Sequence, residues 1–251
     1  MTWSSGDEMI DDSCAHCGRE GGVEHIVTQC DFFSILFANT FANSTSRTMP
    51  TYKLIYFNFS MLGESIRMIL SYKGVEFEDY RVPMSAWKSL KKTIPFEKLP
   101  ILEIDGKRYH QSQAILRFLA KDINLGGDSA HEEYEIDFVA GTIQDFTAAA
   151  SFLWDSKDPD GKKELLEKLR SEIIPYYFKL WNEIAERNGG YLANGKLSWV
   201  DLYFYGIMNT FEPAAKTDCI NEYLHLKLGR EKVFSTPGIK EWIAKRPKTA
   251  Y

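Results

Sequence analysis

The stretch from Lys98 to Lys121 constrains the fold of this chain more than any other. It reads Lys-Leu-Pro-Ile-Leu-Glu-Ile-Asp-Gly-Lys-Arg-Tyr-His-Gln-Ser, then Gln-Ala-Ile-Leu-Arg-Phe-Leu-Ala-Lys. Pro100 opens a short apolar run. Asp105-Gly106 is a two-residue hairpin signal, because both residues tolerate positive φ. A second strand follows, and Ser112 occupies the position of a helix N-cap. Ile115, Phe118 and Leu119 then recur at helical spacing. The predicted unit is strand, hairpin, strand and helix, with free backbone donors at the helix start that suit a carboxylate. A cis Leu99-Pro100 bond would turn the Leu99 backbone outward to pair with a peptide ligand; the sequence does not say which isomer is present.

Upstream, Tyr52 to Phe57 reads as a strand and Asn58 to Leu62 as a loop. A helix follows from about Gly63 to Lys73, with Ile66, Ile69 and Leu70 on one face and Gly74 just past its end. Phe77 to Val82 is a second strand. Strand, helix and strand in this order imply a parallel pair with a right-handed crossover. With the hairpin unit they make a thioredoxin-like α/β domain over residues 49–126. Asn124-Leu125-Gly126-Gly127-Asp128 reads as a linker, and beyond it the strand signals stop. Helices are predicted from His131 to about Asp155 and from Gly161 to about Arg187, where Asn188-Gly189-Gly190 ends the second. Another lies behind the capping box Ser198-Trp199-Val200-Asp201, running through Leu202, Tyr205, Met208 and Asn209. A last short one spans Pro237 to about Lys245. Residues 130–251 are thus expected to form an all-helical bundle domain. The Asp201 cap is worth about 1 kcal/mol and is structural.

Composition removes several function classes. The net charge is −5 without a basic stripe, which argues against nucleic acid as a partner. No apolar run reaches the roughly 18 residues that a membrane-spanning helix needs. Residues 1–48 are glycine-containing, acidic and aperiodic, and are expected to be a disordered extension. Within them Phe32 to Ala42 is apolar, but it sits too deep and behind acidic residues to read as a signal peptide. Three of the 4 cysteines (Cys14, Cys17 and Cys30) fall in this extension, leaving only Cys219 in the body. That usage fits a reducing cytoplasm. Cys14 and Cys17, with His25 and Cys30, could supply four zinc ligands, but the spacing is irregular and no second Cys-x-x-Cys exists. No metal is expected.

Five motifs follow one another in order. They are Tyr52-Lys-Leu-Ile-Tyr56-Phe57-Asn58, Glu64-Ser65-Ile66-Arg67, Pro95-Phe96-Glu97-Lys98-Leu99-Pro100-Ile101-Leu102, Gln111-Ser112, and Ser198-x-x-Asp201. Together they make Met49 to Tyr251 resemble a glutathione S-transferase. The Tyr-Phe-Asn start and the closing Ile243-Ala244-Lys245-Arg246-Pro247 resemble the sigma class, which includes nematode detoxification enzymes and glutathione-dependent prostaglandin D synthases. Residues 1–48 match nothing in the family's pattern.

The resemblance implies an enzyme that binds glutathione, as substrate or cofactor, and adds it to small hydrophobic electrophiles. It makes Tyr56 the catalytic residue, a hydrogen-bond donor to the glutathione sulfur. An unperturbed thiol ionises near pH 8.5, and each unit of lowering needs about 1.4 kcal/mol. A hydrogen bond to an ionised acceptor, at roughly 1.5–3 kcal/mol, supplies one to two units. The nearby helix N-terminus adds about 0.3–1 kcal/mol. From position alone, Tyr56 is equally a strand aromatic, and Ser60 is a competing nucleophile activator, because some transferase classes use a loop serine or cysteine. The loop Phe59-Ser60-Met61-Leu62 departs from the basic, glycine-containing family loop, with Leu62 near the place of a family arginine.

The same resemblance assigns the γ-glutamyl carboxylate to Gln111 and Ser112, and the cysteinyl amide to the Leu99 backbone before Pro100. It assigns the glycyl end to Trp87, Lys91 and Lys98; the first two lie one helical turn apart. Asp145 is implied to reach the γ-glutamyl amine of the partner subunit in a homodimer. The electrophile pocket is expected between the domains, with Phe57, Phe152, Trp154 and Tyr205 as wall candidates, although aromatics at helical spacing are also ordinary core. Two other activities remain open: glutathione-dependent isomerisation of prostaglandin H2 to the D form, and a non-catalytic ligand carrier of the same fold.

Overall fold

The computed structural model describes residues 49–155 and 159–249. The expected extension, with its cysteines, lies outside the described residues. Four strands, β1 (Tyr52–Phe57), β2 (Phe77–Val82), β3 (Ile101–Ile104) and β4 (Lys107–His110), form one sheet in the order β2-β1-β3-β4. β1 runs parallel to β2 and antiparallel to β3, with Tyr56 opposite Arg81 and Leu54 opposite Leu102. β1 is central and apolar on both faces. Leu54 and Tyr56 enter the main core, while Ile55 joins Val82, Ile94 and Ile101 in a smaller cluster on the other face, as the period of two requires. Helix α1 (Met61–Tyr72) makes the crossover from β1 to β2, α2 (Met84–Lys91) follows β2, and α3 (Ser112–Ala120) follows β4. Asp105 and Gly106 turn the β3–β4 hairpin at φ 50° and 79°, and Asp105 Oδ1 accepts the Thr51 N–H at 2.9 Å.

The second half is helical: α4 (Ala130–Ala149), α5 (Phe152–Asp155), α6 (Pro159–Lys168), α7 (Ile174–Arg187), α8 (Trp199–Ala215), α9 (Leu224–Ser235) and α10 (Ile239–Lys245). Several boundaries differ from expectation. α1 begins at Met61 rather than Gly63. The helix expected over His131 to Asp155 breaks at Ala150, which leaves helical geometry at φ −93°, ψ 2°. The one expected from Gly161 to Arg187 contains a π-helical turn at Leu169–Ile173. Pro175 explains it, since a residue without an N–H leaves a carbonyl of the preceding turn unpartnered. Ser112 is the first helical residue of α3 and not its cap; Gln111 holds the cap position, at φ 71°. α9 was not expected: it buries Leu226, Gly229 and Val233 at helical spacing, but the glycine hides the apolar pattern.

Two buried carboxylates organise the packing, Glu64 between the two halves and Asp201 within the helical one. Glu64, 1% exposed, accepts Trp242 Nε1 at 2.8 Å, Arg246 Nη1 at 2.6 Å and Arg67 Nη1 at 3.2 Å. That joins α10 to α1. Asp201 Oδ2 accepts both the N–H and the hydroxyl of Ser198 at 2.9 Å, and Oδ1 accepts the Leu192 N–H at 2.8 Å. Burial pushes its carboxyl up to about 6 from 3.8. α1 and α8 cross closely, where a Cβ on Gly206 would stand 2.6 Å from Ser65 Oγ.

Candidate active site

Tyr56 ends the central strand one residue before its last. The ring is 4% exposed and packs flat enough on α1 that any Cβ at Gly63 would overlap it; a glycine is required there by close approach, not by backbone conformation. Phe57 and Phe59 stand edge-on to it at 5.6 and 5.5 Å. The loop behind it is held by Arg67, which is wholly buried. Arg67 Nη1 donates to the Phe59 carbonyl at 3.0 Å, Nη2 to the Phe57 carbonyl at 3.3 Å, and Nε to Asp79 at 2.9 Å. Its guanidinium lies 5.8 Å from the Tyr56 ring. Burial, the dominant influence, pushes the Tyr56 phenol well above its ordinary range, against smaller opposing effects of Arg67 and the Leu62 backbone N–H. Tyr56 is therefore a neutral phenol at any physiological pH.

Leu62 and Met61 also form one wall of a cleft of about 420 Å³. Opposite them are Lys98, Leu99, Pro100, Gln111 and Ser112. The Leu99–Pro100 bond is cis. Ser112, almost buried, sits at the N-terminus of α3, where unpaired N–H groups face outward. Thus five of the residues expected to hold a tripeptide share one cleft; Tyr56 does not itself line it and adjoins it through Leu62. Ser60 is buried and does not line the cleft.

Other expected residues lie elsewhere. Trp87 on α2 stands edge-on to Phe57 at 5.0 Å. Lys91 ends the same helix, exposed, 3.6 Å from Glu97. Both flank the cleft without lining it. Phe57 faces α2, and Phe152 packs half-buried against the core. Tyr205 is a core residue, 1% exposed, and its hydroxyl donates to the Leu226 carbonyl at 2.8 Å. Tyr203, two positions earlier, lines the cleft in its place; two residues on a helix are about 200° apart and so point to opposite sides. The Trp154 side chain lies outside the described part of the structure. Asp145 is exposed on α4 and makes no ion pair among the described residues. Reading the sequence missed Gln113, Arg117, Gln144 and Tyr203, all of which line the cleft. Gln113 and Arg117, one turn apart on α3, were the available signal.

A cleft beside a cis-proline turn and an open helix N-terminus, on a thioredoxin-like sheet backed by a helical unit, fits the glutathione S-transferase resemblance. Residues 52–121 match the model of the glutathione S-transferase N-terminal domain, and residues 144–246 that of the C-terminal domain. The chain is 38% identical over 201 residues to a glutathione S-transferase of Anopheles gambiae, covering 80% of this chain and 99% of that one. It is 35% identical over 203 residues to the human hematopoietic prostaglandin D synthase, covering 80% and 99%. A solved structure of prostaglandin synthase D of Nilaparvata lugens superposes at TM-score 0.77 with 45% identity, covering 79% of this chain and all 100% of the other. The chain belongs to the glutathione S-transferase family.

Proposed function

We propose that this protein is a cytoplasmic, homodimeric, sigma-type glutathione transferase that ionises the glutathione thiol and adds it to hydrophobic electrophiles. Residues 49–126 serve as the glutathione-binding domain and 130–251 as the helical domain. The observation that carries the reading is a cis-proline turn and an open helix N-terminus facing one cleft, with the buried neutral phenol of Tyr56 adjoining its Leu62 wall. Tyr56 donates to the sulfur and favours the thiolate. The Gln111-Ser112 helix start takes the γ-glutamyl carboxylate, the Leu99 backbone before Pro100 takes the cysteinyl amide, and Lys98, with Trp87 and Lys91 beside it, takes the glycyl carboxylate. With Leu62 in the cleft wall, no loop arginine assists the sulfur, so Tyr56 carries the ionisation with the α1 N-terminus.

Asp145 completes the site of a partner subunit. The support is a stripe along α4. Tyr134, Phe138 and Asp145 recur at positions that share one helical face, and the two aromatics are 60% and 46% exposed and stacked at 6.2 Å. A second reading, glutathione-dependent isomerisation of a prostaglandin endoperoxide, draws on the relatives named for that activity. Product analysis with the endoperoxide, beside conjugation of an aryl halide, separates the two. The transferase reading is tested by ultraviolet difference titration of bound glutathione, in which the parent should show the thiolate at a pH below that of the free thiol.

A further inference from the structure

A chain of charged side chains runs behind Tyr56, from the end of the last helix to the loop that follows β1. Arg246, just past α10, places Nη1 2.6 Å from Glu64 Oε1. Glu64 Oε2 lies 3.2 Å from Arg67 Nη1, Arg67 Nε lies 2.9 Å from Asp79 Oδ1, and Asp79 Oδ2 lies 2.7 Å from Arg81 Nε. The near end grips three successive residues after Tyr56. Arg67 donates to the Phe57 and Phe59 carbonyls, and Arg81 Nη1 donates to Asn58 Oδ1 at 3.0 Å. Each carboxylate in the chain thus stands between two guanidiniums, and the chain carries one positive charge in excess. Glu64 and Arg67 are buried, so solvent screens that charge only weakly. The Arg67 guanidinium is 5.8 Å from the Tyr56 ring and its charge already acts on the phenol.

The loop Phe59-Ser60-Met61-Leu62 has no charge of its own. The cleft is lined by Lys98, His110 and Arg117. Arg117 Nε donates to Asp137 Oδ1 at 2.7 Å and its Nη2 to Gln113 Oε1 at 3.2 Å. The Gln113 amide in turn donates to the hydroxyl oxygen of Tyr203, which also acts on Tyr56. Among the described residues none of these bonds to a member of the chain behind Tyr56. Arg246 decides the sign of that chain. Without it, Glu64 and Asp79 balance Arg67 and Arg81, and no positive charge is left over. We propose that Arg246 is a positioning residue of the glutathione site: it takes up Glu64, so that Arg67 keeps an uncompensated charge behind Tyr56, and that charge favours the thiolate. The proposal rests on the glutathione reading above. A positive charge beyond direct contact lowers the pKa of an acid by less than the one to three units of a close neighbour, here by about 0.5–1 unit.

The test reads thiolate absorbance of glutathione bound to the full chain across pH. Binding of S-methylglutathione, which has no ionisable sulfur, is measured beside it. Arg246 is 22% exposed, so its replacement does not open the core. Arg246→Gln should raise the bound thiol pKa by about 0.5–1 unit and move the acidic limb of kcat/KM upward by the same amount, with S-methylglutathione bound as before. Arg246→Lys keeps the charge and should restore the parent value. Glu64→Gln adds to the excess charge and should lower the pKa, and combining it with Arg246→Gln should return it to near the parent. A purely structural chain predicts the opposite for Glu64→Gln, because loosening the loop can only weaken the donor. An unshifted pKa in Arg246→Gln, an equal shift in Arg246→Lys, or a rise in Glu64→Gln would overturn the proposal. Should Glu64→Gln not fold, the two replacements at 246 decide it. A parent that binds no thiolate sinks the glutathione reading and this proposal with it, whereas a thiolate band that none of the variants moves sinks this proposal alone.

Discussion

Tyr56, beside the cleft, and Tyr203, in its wall, are held in opposite ways. Tyr56 is set by backbone: it ends a central strand, lies on a glycine, and has Arg67 clamping the carbonyls on either side of its loop. Tyr203 is set by side chains, through an amide whose orientation depends on Arg117 and Asp137. A backbone-held group suits the half of the reaction that never changes, the glutathione sulfur. A side-chain-held group can be re-aimed by one substitution. The difference teaches that rigidity here follows constancy of the ligand.

The comparison is broken most severely at Arg67. Arg67→Ala leaves the Phe57 and Phe59 carbonyls without their side-chain donor and takes one of three partners from the buried Glu64, and unfolding in urea should show a loss of about 3–5 kcal/mol. Gly63→Ala drives a methyl into the Tyr56 ring and should cost about 1–3 kcal/mol, with turnover falling further than stability because the donor itself is displaced. Steady-state kinetics on the folded fraction separates the two effects. No such coupling is expected for Tyr205→Phe, which removes one buried hydrogen bond. It should lower stability by about 1 kcal/mol and leave turnover of the folded fraction unchanged.

Asp201 gives a pH-dependent form of the same contrast between structure and chemistry. Its carboxyl is raised to about 6 in the folded chain from 3.8. The native state thus holds this proton more tightly than the unfolded one. Its contribution is complete below about pH 4 and is lost as pH rises through about 6, with a slope of up to about 1.4 kcal/mol per unit. Subtracting the urea stability of Asp201→Asn from that of the parent at each pH isolates that slope, and the difference should flatten above pH 7. The smallest effect belongs to Met61, which stands in a left-handed conformation at φ 45°. Met61→Gly relieves that strain and should stabilise the chain by about 1 kcal/mol or less.

Much of this was legible in the sequence where a local rule operates. β1 and β2 fall on the expected residues because their apolar runs are bounded by loop signals, and the Asp105-Gly106 hairpin forms because both residues take positive φ. The wall of the cleft was not legible for a physical reason. α8 is buried all round from Trp199 to Met208, so no periodicity tells the face of Tyr203 from that of Tyr205. Met61 in a conformation natural to glycine follows no local rule either. Gln111 rather than Ser112 at the α3 cap shows that a residue suited to capping is not thereby placed at the cap.

The most direct measurement is the ionisation of glutathione bound to the parent and to Tyr56→Phe, read from thiolate absorbance across pH at saturating ligand. The account predicts a bound thiol pKa at least one unit below that of free glutathione in the parent, returning to near the free value in Tyr56→Phe while affinity for the tripeptide stays nearly constant. An equally low bound pKa in the variant would contradict it and move the thiolate-stabilising role away from Tyr56.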